Sequence, residues 1–324
     1  MSSKVRHILQ KPTPMSNLGI HKKDEAISLF PEKQPPNLFE KKDEKIFESI
    51  NPPQNNCQIL VGDARKILCT IPAGHFDCVV TSPPYWGLRD YGIDGQIGAE
   101  TTVDAYIADL VGLFREVRRT LANDGTLWLN IGDSYTSGGR TWRDADAKNK
   151  GRAMDYRAAT PEGLKPKDLI GVPWKIAFAL QADGWYLRTD IIWNKPNCQP
   201  ESVKDRPTRS HEYIFLFSKS EKYRYDWQAI MEPAADPKQR TKNRRTVWNI
   251  NTEPYPGSHF AVYPRALARL CIAAGSRENG RVLDPFFGSG TTGVVCNELG
   301  RECIGIELNT DYAELAWKRL LKGR

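Results

Sequence analysis

Apolar residues gather in short blocks along this chain, and the spacing inside each block separates strands from helices. Residues 58–63, 76–81 and 126–131 are brief, nearly continuous apolar runs closed by turn residues, the pattern of buried strands. Between the second and third, Ile107, Leu110, Val111, Phe114, Val117 and Leu121 recur at helical spacing. That spacing predicts a helix over 103–121, stopped by Asn123-Asp124-Gly125. Strand, helix, strand is a crossover, and a crossover implies a parallel sheet.

The same reading continues down the chain. Residues 169–182 form an amphipathic helix; 185–193 and 212–217 have strand character and suit an antiparallel pair at one side of the sheet. Then follow a helix over 264–274, a strand over 281–285, a helix over 291–299, a strand over 302–307 and a helix over 310–321. Residues 133–165 and 219–257 lose periodicity and gain Gly, Arg, Lys and Asp, which marks long functional loops. Residues 1–56 are too poor in apolar side chains to cover a core and read as a flexible tail, with a short helix near 43–50. No internal repeat is visible. The organised chain thus divides into 57–218, a basic interval over 219–257, and 258–324.

Composition changes this picture little. At 324 residues the chain suffices for one large α/β domain with insertions or two modest ones. A net charge of +7 favours a polyanionic partner without requiring one. The seven cysteines form no C-x-x-C pair, so they read as small buried hydrophobes in a reducing cytoplasm; neither disulfides nor a metal site is expected. With no bilayer-length apolar run and no signal-peptide core, a cytoplasmic, membrane-free protein is expected.

Two segments carry chemistry. Arg281-Val282-Leu283-Asp284-Pro285-Phe286-Phe287-Gly288-Ser289-Gly290-Thr291 sets a glycine-rich turn between a strand and a helix, where backbone can approach a ligand closely. Glu307 ends the next strand, roughly 20 residues past the turn, placed to accept hydrogen bonds from a ribose diol. The plainer alternative is a tight turn and a helix-capping glutamate. The turn has no lysine of the phosphate-binding type and is not G-x-G-x-x-G, so a nucleoside-type cofactor fits better than a dinucleotide.

The second segment is Thr81-Ser82-Pro83-Pro84-Tyr85, which follows a buried strand. Two prolines fix φ and withhold two N–H groups, leaving rigid carbonyl acceptors beside an aromatic face. Acceptors can hold the amino group of an extruded base while its ring stacks on Tyr85. The alternative here is a rigid turn that merely ends a strand.

With both segments read, the chain resembles the amino-methylating DNA methyltransferases of bacterial and phage restriction–modification systems, from Cys57 onward. The resemblance is carried by Thr81–Tyr85 with its trailing Trp86-Gly87-Leu88-Arg89-Asp90-Tyr91, by Asp284–Thr292, and by Lys195–Phe217 with Pro200-Glu201-Ser202 and Arg206–Glu212. It implies an α/β fold, a Rossmann-like seven-stranded mixed sheet in the circularly permuted arrangement, with a target-recognition region inserted over 219–257 between catalytic and cofactor halves. It implies S-adenosyl-L-methionine as methyl donor, double-stranded DNA as substrate and a cognate restriction endonuclease acting on the same site. Under it Ser82, Pro83, Pro84 and Tyr85 handle the target base. Asp284, Phe286, Gly288, Gly290 and Thr291 shape the donor pocket, Glu307 holds the ribose hydroxyls and Asp63 meets the donor's adenine. His259–Pro264 lies near the donor's methionine end. Lys238, Arg240, Lys242, Arg244 and Arg245 contact DNA, with 133–165 a second DNA-facing segment. Cytosine-N4 enzymes of the family commonly begin the tetrapeptide with Ser and adenine-N6 enzymes with Asp or Asn, so Ser82 favours cytosine N4. Adenine N6 is the nearest alternative, and RNA or protein glutamine a further one.

Overall fold

The computed structural model describes residues 48–50, 56–89, 91–136, 159–235, 240–253 and 263–322. Its strands are β1 (Glu48–Ile50), β2 (Cys57–Val61), β3 (Phe76–Thr81), β4 (Leu121–Ile131), β5 (Tyr186–Asn194), β6 (His211–Ser218), β7 (Glu232–Pro233), β8 (Thr241–Lys242), β9 (Val247–Asn249), β10 (Arg281–Asp284) and β11 (Glu302–Glu307). Its α-helices are α1 (Ala64–Leu68), α2 (Val103–Thr120), α3 (Val172–Ala182), α4 (Arg265–Gly275), α5 (Thr291–Glu298) and α6 (Thr310–Lys322).

One sheet runs in the order β1-β2-β11-β10-β3-β4-β6-β5-β9. β2, β11, β10, β3 and β4 are parallel; β6 enters antiparallel between β4 and β5, so the expected antiparallel pair sits to one side. All seven strands read from the sequence are present, and the short edge strands β1 and β9 raise the count to nine. The β1 segment lies where a short helix was expected. Glu48–Ile50 instead pairs antiparallel with β2, using the edge that β2 offers. Within 219–257, read as irregular, β7 and β8 make a two-stranded ribbon and β9 pairs with β5. Strands of two or three residues are too short to show periodicity, which is why pattern alone missed them.

Side chains alternate across the sheet and build a core on each face. On β3, Val79 points toward α1, α2 and α3, whereas Cys78 and Val80 point toward α4, α5 and α6. Five of the seven cysteines are buried there. Helix α2 buries Tyr106, Leu110, Leu113, Phe114 and Val117 along one stripe; the Thr102 side chain caps its first turn by accepting from Ala105 N. Each such side chain, fully buried, stabilises the fold by roughly 1.5–3 kcal/mol. The helix ends at Thr120, and Asn123-Asp124-Gly125 bulges out at the start of β4, between the pairs Phe76–Leu121 and Cys78–Thr126.

Helix α3 starts three residues later than its apolar pattern suggested. The carboxylate of Asp133, at the start of a loop, accepts from the N–H groups of Gly171 and Val172 and so fixes the first turn. Most of the expected DNA-facing loop over 133–165 lies outside the described residues. No described helix is long and apolar enough to cross a membrane.

Candidate active site

A cleft of about 680 Å³ opens at the carboxyl ends of β2, β3, β10 and β11. In open parallel sheets this is where ligands bind. One wall carries Asp63, Phe286, Gly288 and Glu307; another carries Ser82, Pro83, Pro84 and Tyr85. The two segments singled out in the sequence therefore share one cavity. They do so because β3 and β10 are hydrogen-bonded neighbours, with Cys78 opposite Val282 and Val79 opposite Leu283.

Several predicted donor-pocket residues act from behind the wall. Asp284 is 1% exposed and accepts from the hydroxyls of Thr81 (2.7 Å), Tyr263 (2.9 Å) and Thr292 (2.5 Å) and from Phe286 N (3.1 Å). Burial pushes its carboxyl pKa upward, opposed by those donors. Asp284 thus shapes the glycine turn and ties it to β3, without lining the cavity. Gly290 adopts φ +79°, and a Cβ there would stand 3.0 Å from Ala316 Cβ; its smallness serves packing against α6. Thr291 likewise turns away, its hydroxyl accepting from Arg319 at 2.9 Å.

Glu307 is braced into the turn and also faces the cleft. Its carboxylate accepts from Gly288 N at 2.7 Å and Asn309 N at 2.8 Å, bracing the turn and the start of α6, and it also lines the cleft. Burial raises its pKa to about 7. Asp63 caps α1 and is gripped by the Arg65 guanidinium, with contacts of 2.8–3.1 Å. Tyr263, at the end of the segment over 259–264, lines the cavity; residues 259–262 lie outside the described ones.

On the facing wall, the Pro84 carbonyl already accepts from Tyr106 OH at 2.8 Å, so it fixes the turn. The Ser82 hydroxyl donates to Tyr85 OH at 3.4 Å, and Tyr85 OH donates to Glu212 Oε2 at 2.7 Å. Glu212 also accepts from Asn130 Nδ2 (3.2 Å) and forms an ion pair with Lys195, whose ammonium rests 4.3 Å from the centre of the Trp193 ring. Burial, and then the Glu212 charge, push the Tyr85 pKa up. Glu212, Lys195 and Asn130 escaped the sequence reading as site residues. The one available signal was that the first two lie within the Lys195–Phe217 segment on which the resemblance rests.

The basic cluster divides. Arg244 donates to the Ile230 carbonyl at 2.8 Å, and Lys242 and Arg245 both lie against Glu232. Lys242 pairs across the β7–β8 ribbon, and Arg244 and Arg245 tie the chain after it back to Ile230 and Glu232, while Arg240 is exposed and Lys238 lies outside the described residues. None of the four described residues lines the cleft. The chain beyond β9 does, through Thr252 and Glu253, with Thr252 bound to Asn197. Among the described residues no group of three His, Cys, Asp or Glu is arranged to hold a metal ion.

Comparison with known proteins was decisive: residues 76–318 match the family described as DNA methylase, of N6/N4 type. The chain belongs to this family. Among its curated relatives, the type II methyltransferase M.SmaI of Serratia marcescens is 73% identical over 287 residues, covering 89% of this chain and 97% of that protein. The type II methyltransferase M.Cfr9I of Citrobacter freundii is 57% identical over 277 residues, covering 86% and 92%. The fold of this N6/N4 methylase matches that of the PvuII DNA methyltransferase (cytosine-N4-specific), with TM-score 0.60 at 19% identity and coverage of 83% and 94%. A Thermus thermophilus protein described as a putative DNA modification methylase, solved with S-adenosyl-L-methionine, matches at TM-score 0.55 and 28% identity, covering 81% and 92%.

Proposed function

We propose that this DNA methylase transfers a methyl group from S-adenosyl-L-methionine to the N4 amino group of cytosine in double-stranded DNA, protecting that site from a cognate restriction endonuclease. The observation that carries the reading is the shared cleft, with the Ser82–Tyr85 wall facing Glu307 and the glycine turn. The cavity fits the donor: its size is that of small-molecule sites, and it pairs apolar Phe286 with the carboxylates of Glu307 and Asp63. When bound, the donor supplies an electrophilic methyl group on a sulfonium.

The chain's own residues do the rest by holding and excluding. Glu307 accepts from the ribose hydroxyls, Phe286 packs on the donor, and Asp63, steadied by Arg65, meets its adenine; Asp284, Gly290 and Thr291 hold the turn in shape. The Ser82 hydroxyl and the Pro83 carbonyl accept from the target amine, and Tyr85 supplies a stacking face. An exocyclic amine is a poor nucleophile because its lone pair is delocalised into the ring. Acceptors on its hydrogens favour a localised lone pair, and orientation completes the assistance. Arg240 and Lys238 contribute phosphate contacts, with Lys242, Arg244 and Arg245 shaping the β7–β8 ribbon.

Ser82 at the head of the tetrapeptide supports cytosine. The test is to incubate the protein with labelled donor and DNA, digest to nucleosides and identify the labelled one. N4-methylcytosine is expected. N6-methyladenine would transfer the reading to adenine, and unlabelled DNA would remove the proposed activity altogether.

A further inference from the structure

The hydrogen-bond chain Ser82–Tyr85–Glu212 has a direction, and the direction has a use. A hydroxyl both donates and accepts, so a serine facing a base does not by itself distinguish an amino group from a carbonyl. A carboxylate only accepts. Glu212 is met by donors alone: Lys195 on Oε1, Asn130 Nδ2 and Tyr85 OH on Oε2. The tyrosine proton is therefore committed to Glu212, which leaves the tyrosine oxygen to accept the Ser82 proton. With its own proton directed at the Tyr85 oxygen 3.4 Å away, Ser82 Oγ turns its lone pairs to the cleft.

We infer that Glu212 is a specificity-determining positioning residue: acting through Tyr85, it fixes the polarity of Ser82 so that the base site takes an amino group and rejects a carbonyl. This deepens the proposed function and rests on it. The selection applies to any exocyclic amine against its keto counterpart, cytosine against uracil or adenine against hypoxanthine. Buried polar sites discriminate strongly on such grounds, because the wrong partner leaves acceptor facing acceptor. The raised pKa of Tyr85 keeps its hydroxyl protonated and so able to donate. Close packing holds the chain in register, since a Cβ at Gly132 would stand 2.7 Å from Tyr85 Cε2 and 3.3 Å from Glu212 Cγ.

Two substitutions separate polarity from packing. Glu212→Gln keeps size and shape, but Lys195 draws the amide oxygen to itself and turns the amide N–H₂ toward Tyr85. The chain then reverses and Ser82 becomes a donor. Glu212→Asp keeps an acceptor-only group at the cost of one methylene.

The measurement pairs duplexes carrying the amino base or its keto counterpart at the position that wild-type protein methylates, located by mapping modified bases. Affinities are read as the amino-over-keto ratio for the wild type, E212Q and E212D. Comparing one duplex pair across proteins cancels the different cost of extruding each base. Wild type and E212D are expected to prefer the amino duplex at least about tenfold, and E212Q to lose that preference. E212Q is also expected to lose at least about fiftyfold in kcat/KM on the amino duplex and to melt lower, because its amide N–H₂ also faces Asn130 Nδ2 and Lys195 loses its counter-charge. An E212Q protein that keeps the amino preference, or ranks above E212D, would overturn the inference, because a packing role favours the isosteric amide. If wild type methylates no DNA, it is the proposed function that fails, and the two failures remain distinct.

Discussion

Thr81 and Asp284 stand 203 positions apart in the chain and meet through a 2.7 Å hydrogen bond, the threonine hydroxyl donating to the carboxylate. The bond joins the end of β3 to the end of β10, so the base-site wall and the glycine turn hang from one anchor. Asp284→Asn turns one acceptor into a donor that faces the hydroxyls of Tyr263 and Thr292 or that of Thr81. A loss of about 1–3 kcal/mol in urea unfolding is expected, and about 1 kcal/mol for Thr81→Val. In a double-mutant cycle Thr81→Val should cost little once Asp284 is replaced; strictly additive losses would show the two are uncoupled.

Under the role proposed for Glu307, donor binding depends on pH. With its pKa raised to about 7, the carboxyl is mostly protonated a unit below that value and mostly ionised a unit above it, and only the ionised form accepts from both ribose hydroxyls. Donor affinity measured by calorimetry is expected to weaken by up to about tenfold per pH unit below about 7. Glu307→Gln should bind weakly with a flatter profile. The stability sign is opposite. A folded-state pKa above the unfolded value favours the folded protein fully below about 4.5, and that contribution is lost as pH rises through about 7. Thermal melts without donor, compared between wild type and Glu307→Gln, should show that slope in the wild type alone.

The two glycines of the turn should fail differently. Gly290→Ala strains a φ of +79° and sets a methyl 3.0 Å from Ala316, so the folded state loses about 1–3 kcal/mol, with donor affinity of the folded protein nearly kept. Gly288 also has a positive φ, +53°, so Gly288→Ala costs some stability too, but because it lines the cleft and gives its N–H to Glu307 it should in addition weaken donor affinity. Denaturant titration beside equilibrium dialysis distinguishes them, and a reversed pattern would exchange the two roles.

Arg240 and Arg244 are four positions apart and do unlike work. Arg240→Ala is expected to leave stability unchanged, weaken DNA binding across sequences and lower the slope of log affinity against log salt by about 1. Arg244→Ala removes the donor to the Ile230 carbonyl, so it should loosen the ribbon and sensitise it to limited proteolysis. Equal salt slopes for the two variants would contradict this division.

The strands and helices that position the site were legible because each is long enough to show a period, β3 and α2 above all. The fate of single residues was not. Asp284 and Thr291 look like pocket residues in the sequence, yet their partners, Thr81 and Arg319, come from distant elements that no local pattern connects to them. Glu212 was invisible for the same reason: its meaning lies in Tyr85, on the far side of α2 and α3 in the chain. The contacts of the basic cluster were equally hidden, since charge spacing says nothing about a Glu232 close enough to pair with two of its members.

The position of β10 and β11 bears on how the protein is made. Both come after every other strand of the sheet in the chain, yet they lie in its interior, separating β2 from β3. During synthesis β2 and β3 therefore emerge with their facing edges bare, and those two edges stay without partners until β10 and β11 are made. Such edges are sticky and invite aggregation or chaperone capture. A product cut short before β10 would lack half the cleft and have an open sheet, so translation stopped early should leave no partly active enzyme, only a substrate for proteolysis.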